Sequence, residues 1–68
     1  MKRDTIALRT GKSSTGTPHG LLVERENDGE LRFTVVGHDG KKRHAAVILS
    51  KGEVVSLTDA ILSSLEEA

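Results

Sequence analysis

One stretch of this chain carries helical periodicity, and it stands near the C-terminus: Ser50 to Glu67, SKGEVVSLTDAILSSLEE. Val54, Leu57, Ile61 and Leu65 recur at steps of three or four, and Val55 and Leu62 widen them into one apolar stripe. Ser50 with Glu53 three residues on is a capping-box pattern, in which the hydroxyl accepts from an early helical N–H and the carboxylate reaches back. Everything before Ser50 reads as strands and turns. A lone amphipathic helix after a run of strands has one obvious use, as cover for one face of a sheet.

Residues 1 to 4 read as a charged, frayed terminus. Thr5 to Arg9 alternate, with Ile6 and Leu8 on one side, and predict a short first strand. TGKSSTGTPHG, from Thr10 to Gly20, is a loop by composition, long for a hairpin connection. Leu21 to Glu26 is the second strand, and Asn27-Asp28-Gly29 marks a tight turn, read as type I with Gly29 left-handed. That turn places Val23 opposite Phe33, Leu21 opposite Val35 and Glu24 opposite Arg32, apolar with apolar and acid with base. Leu31 to Val36 is the third strand. Asp39-Gly40 then forms the second hairpin tip and sets Val35 against His44, Phe33 against Ala46 and Leu31 against Ile48, on a fourth strand over residues 43–49.

The two turns agree on one face: Leu21, Val23, Leu31, Phe33, Val35, Ala46 and Ile48, joined by Ile6 and Leu8. The helix, over about residues 51–66, is expected to pack there, with Ile61 and Leu65 toward the sheet. The opposite face carries Leu22, Thr34, Val36, Ala45 and Val47, ringed by Arg9, Glu24, Arg32 and Arg43. Two readings of that contiguous cluster stand side by side. It is an interface with another protein chain, or it reflects the β propensity of Val and Thr on a solvated face.

The length of 68 residues bears on that choice. A chain this short is one domain and buries only roughly 60% of its unfolded surface, so its core needs help. Cysteine is absent, which removes disulfides and thiolate ligands and leaves oligomerisation as the expected device. Ten Lys and Arg balance ten Asp and Glu, so no global charge draws the chain to nucleic acid or to an anionic membrane. No apolar run approaches the ~20 residues that span a bilayer. The opening MKRDTIALRT is basic, but Asp4, Thr5 and Arg9 interrupt any apolar signal core, so a cytoplasmic protein is expected.

Chemistry-bearing motifs are sparse. Gly11-Lys12-Ser13 matches the end of a phosphate-binding loop, yet Ile6 stands where the leading glycine belongs, and a strand follows instead of a helix. The histidines are His19, His38 and His44; in the register above His38 faces Lys41 rather than His44, so that pair is not preformed and no metal site is expected. Nucleophile elbow, paired-carboxylate spacing and zinc signature are all missing, and no catalytic residue or cofactor is assigned. The most basic local feature is the hairpin tip HDGKKRH. There Lys41, Lys42 and Arg43, with Arg9 and Arg32, form a candidate phosphate-contacting set. Phe33 is the one aromatic ring of Phe, Tyr or Trp type, too few for a base-stacking platform.

Val55-Ser56-Leu57-Thr58, with Leu65 seven residues past the threonine, resembles the strand-to-helix junction of the positive-cofactor type coactivators that bind single-stranded DNA. The resemblance covers the last quarter of the chain. It implies a curved four-stranded sheet, one C-terminal helix and a dimer. The aromatic residue of that family's helix is replaced here by Ile61 and Leu62, and its DNA-contacting pattern is not reproduced in the strands. The resemblance also implies a second start for the helix, at Thr58, with Val54 to Leu57 extended.

The expectation is an α+β domain, a four-stranded antiparallel meander with one C-terminal helix packed on one face. The expected role is that of a small non-enzymatic interaction module, a homodimeric bacterial or phage accessory factor that docks on a larger protein. The runner-up is a nucleic-acid-binding regulator using residues 41–43.

Overall fold

The structure is a computed structural model and describes residues 4–67. The expected fraying of the terminal stretch falls largely on residues 1–3, outside the described residues. Four antiparallel strands, β1 (Thr5–Lys12), β2 (Pro18–Arg25), β3 (Leu31–Gly37) and β4 (Arg43–Leu49), form a sheet in the order β1-β2-β3-β4. One helix, α1 (Lys51–Glu67), follows and packs against the sheet at β4. The expected α+β meander is the observed one.

The first hairpin is longer than its composition suggested. Thr10, Gly11 and Lys12 pair with Gly20, His19 and Pro18, so the expected loop over residues 10–20 shrinks to a turn between Lys12 and Pro18. Hydroxyl groups build that turn: Ser13 Oγ accepts the Thr17 N–H at 3.1 Å and lies 3.0 Å from Thr15 Oγ1. Gly16 supplies the positive φ of 90° that the chain reversal requires. Pro18 fits as the first residue of its strand, where a missing N–H costs no ladder bond.

The second hairpin has the expected register, with Leu21, Val23 and Glu24 opposite Val35, Phe33 and Arg32. Its turn differs in type. Asp28 and Gly29 both have positive φ, 54° and 83°, and the Glu30 N–H donates to the Asn27 carbonyl at 3.0 Å. That is the pattern of a primed turn, whose twist suits a hairpin better than type I.

The third hairpin departs from expectation. Val36 pairs with Arg43, as the Asp39-Gly40 tip requires, but Thr34 pairs with Ala46, Phe33 with Val47 and Leu31 with Leu49. Val35 therefore faces two residues, His44 and Ala45, which is a β-bulge. Beyond the bulge every β4 side chain is turned over relative to the expected register. Val47 and Leu49, instead of Ala46 and Ile48, share a face with Phe33 and Leu31. In β1 the register running back from the Lys12–Pro18 pair sets Leu8 against Leu22, on the face opposite the one expected for it, and a second irregularity lies between Thr5 and Ala7.

The core consequently lies on the Leu22 face. Leu8, Leu22, Thr34 and Ala46 form one row across all four strands. Gly20, Leu22, Glu24, Thr34 and Val36 are buried, with Val36 at 0% exposure and Thr34 at 3%. Arg43 and Glu24 stand on either side of the Leu22–Thr34 row, and Arg43 Nη1 donates to Glu24 Oε1 at 3.3 Å. The aliphatic stem of Arg43 therefore spans that row, covering apolar atoms while its head pairs with the carboxylate. Arg32 Nε donates to Glu26 Oε1 at 2.7 Å on the same face.

α1 begins where the longer of the two readings placed it. The Glu53 N–H donates to Ser50 Oγ at 3.3 Å and the Val54 N–H to the Ser50 carbonyl at 2.9 Å, so Ser50 is the N-cap. Thr58 is not a cap; its hydroxyl donates back to the Val54 carbonyl at 2.8 Å, inside the helix. Among the described residues of α1 only Val54 is half-buried, and none is buried. Ile61 and Leu65, expected toward the sheet, are 50% and 66% exposed.

Two stability predictions follow from the packed face. A Cβ at Gly20 would stand 3.0 Å from Val36 Cγ2 and 3.4 Å from the Arg9 carbonyl, so Gly20→Ala should cost ~1–3 kcal/mol in urea unfolding. Gly11→Ala, with open space around the new methyl, should not be destabilising. Thr34 Oγ1 is buried with no hydrogen-bond partner among the described residues, so Thr34→Val should raise stability by about 1 kcal/mol in the same measurement.

Candidate functional site

The residues read as an interface from the sequence do not share a surface. Leu22, Thr34 and Val36 are buried on the core face. Val47 pairs with Phe33 on the other face, where it is exposed, and Ala45 sits in the bulge. The β4 bulge is the physical reason, since it turns Val47 away from the other three.

The basic set is likewise divided. Arg43 is paired with Glu24 and Arg32 with Glu26, both on the core face. Arg9 lies opposite Leu21 on the other face and donates from Nη1 to its neighbour, the Leu8 carbonyl. Lys41 and Lys42 are exposed at the β3–β4 turn. The sheet therefore neutralises Arg32 and Arg43 each on its own carboxylate and leaves the two turn lysines to solvent.

What the fold does assemble is an open groove of about 530 Å³ on the face away from the core, lined among others by Arg9, Gly11, Lys12, His19, Leu21, Val35 and His44. The pairs Arg9–Leu21–Val35 and Gly11–His19 place these side chains in adjacent rows. Leu21 and Val35 make an apolar floor, and both are exposed. Arg9 and Lys12 rim it, with no ion-pair partner among the described residues. No carboxylate lines it.

The groove is not legible in the sequence, because residues 10–12 and 18–20 have the composition of a loop and become strand only by pairing with each other. Proline at a strand's first position and the Ser/Thr cluster of a tight turn were the signals that could have found the longer hairpin.

His19 and His44 meet at the groove, with ring centroids 5.2 Å apart at an interplanar angle of 48°. His19 Nδ1 lies 3.0 Å from the Thr17 carbonyl, an acceptor, so that nitrogen carries the proton and Nε2 is left for another contact. Two imidazoles fall short of a metal site, and no group of three or more such ligands converges among the described residues. No helix among the described residues is long and apolar enough to cross a membrane.

Comparison of the chain with protein-family models, with curated proteins and with solved structures finds no significant match. Val55 to Thr58 lie in the first half of α1, and the one junction between strand and helix among the described residues is at Ser50.

The turn carrying the two lysines is held by Asp39, whose Oδ1 accepts the Lys41 N–H at 2.9 Å. That bond is the main reason its carboxyl titrates below the usual range; slight desolvation opposes it, while the Lys42 N–H and the charge of His38 add to it. A lowered carboxyl pKa stabilises the fold above the unfolded value of ~3.9, and the contribution is lost as pH falls through the folded value. Asp39→Ala should therefore lower the urea midpoint at neutral pH, and its gap from the parent chain should narrow as the pH is taken from ~5 toward ~2.

Proposed function

We propose that this chain is a small non-enzymatic protein-interaction module that works as a homodimer, an accessory or regulatory factor of bacterial or phage type that docks on a larger protein in the cytoplasm. The observation that carries the reading is the surface left open. A compact 7.3 kDa monomer exposes roughly 4,200 Å² by the size scaling of folded monomers. This chain exposes 5424 Å². The excess, on the order of 1,200 Å², is larger than the ~800 Å² that each partner buries in an interface of standard size.

The excess has an address. Val55, Leu57, Ile61, Leu62 and Leu65 on α1, with Leu21, Val35 and Val47 on the sheet, are all exposed. The buried apolar side chains among the described residues are Leu22 and Val36. A core of that size supports a 68-residue fold poorly by itself, and association would add the missing burial. Nucleic-acid contact through Lys41, Lys42 and Arg43 has weaker support, because Arg43 is already paired and Arg9 faces the other way.

Sedimentation equilibrium tests the proposal. The parent chain should sediment with the mass of a dimer at micromolar concentration, and Ile61→Asp, on the exposed stripe, should shift it to monomer while the sheet's circular dichroism persists. A monomer at every concentration would sink the homodimer. Retention of a single-stranded oligonucleotide that weakens steeply with salt, and is lost on replacing Lys41 and Lys42 by Ala, would put the nucleic-acid reading in its place.

A further inference from the structure

Resting on the homodimer reading, we infer that the two copies associate by exchanging helices: α1 of each copy lies in the Leu21–Val35 groove of the other. Shape supports this first. Seventeen helical residues extend about 25 Å, enough to cross a four-stranded sheet whose outer strands stand roughly 14 Å apart. The connection from β4 to α1 is the single residue Ser50, and among the described residues the helix packs mainly at β4, with its first residue, Lys51, also beside the Gly29 turn. The groove is at the other end of β4, beside His44, five residues or ~17 Å from that junction. A chain's own helix leaves its own groove open, and the same patch on a second copy presents both missing halves, as an isologous pair requires.

Charge points the same way. At 100° per residue the apolar stripe of α1 is bordered by Asp59 and Glu66 on one edge and by Glu53 on the other. Lys51 is the helix's one cation. Glu66 and Glu67 crowd the C-terminal end, where the helix dipole is already negative and where no basic residue offsets them. The groove has the opposite character, an apolar floor between Arg9 and Lys12 with no carboxylate in its lining. An acid-edged apolar helix and a base-edged apolar groove on one neutral chain are complementary to each other.

The absence of native cysteine makes the test direct. Leu21→Cys chains are mixed with Leu57→Cys, Ile61→Cys or Leu65→Cys chains under mild oxidation, and the disulfides are identified by mass. All four positions are exposed, so the fold does not hang on them. At least one helix variant should give a mixed disulfide to residue 21 several-fold more abundant than either self-disulfide. Arg9→Glu with Lys12→Glu should weaken the dimer about fivefold at low salt. A parent chain that dimerises while the cysteine variants yield only helix-to-helix disulfides, or none, overturns the exchange and leaves the homodimer standing. A chain that never dimerises removes both.

Discussion

The bulge at His44 and Ala45 is the constraint on which the rest of the sheet depends. It inserts one residue between the Val36–Arg43 and Thr34–Ala46 pairs, so Arg43 and Ala46, an odd number apart, point to the same side. Arg43, held opposite Val36 by the turn, reaches across the Leu22–Thr34 row to Glu24, and through the bulge Ala46 supplies the small side chain that completes that row. Val47 and Leu49 are sent to the other face with Phe33 and Leu31. An unbulged β4 would keep Arg43 opposite Val36 but put Ile48 beside Leu31 and Ala45, in place of Ala46, beside Thr34.

A polar network at the centre of so small a core has a physical consequence. Glu24 is 5% exposed, and a carboxylate removed from water to that degree must be paired. Arg43 does this while staying half in solvent, which limits its own desolvation. The fully apolar part of the core is correspondingly thin, and the larger share of the chain's Leu, Ile and Val remains at the surface. That imbalance, more than any motif, is what directs attention to association.

Much of the architecture was legible. Alternation and the Asn27-Asp28-Gly29 signal placed β2 and β3 in their true register, because a short turn leaves few ways to pair apolar with apolar. Ser50 and Glu53 marked the helix start, because an N-cap is decided by neighbours three residues apart. The ends of the first hairpin were less legible, since Thr10 to Lys12 carry no apolar alternation and are strand only through their pairing with Pro18 to Gly20. The groove, which needs that pairing, was invisible for the same reason.

By itself the sequence determined the order of elements, the one helix with its apolar stripe and acid edges, and the central hairpin, all set by interactions within a few residues. Only the tertiary structure decided which sheet face became the core, where β4 turned over, and that Arg9, Lys12, His19 and His44 gather around Leu21 and Val35. Those outcomes depend on how far the first hairpin extends and on a single inserted residue in the β3–β4 pair. A period-two pattern cannot reveal such an insertion, because shifting it by one residue exchanges the faces while leaving the pattern intact.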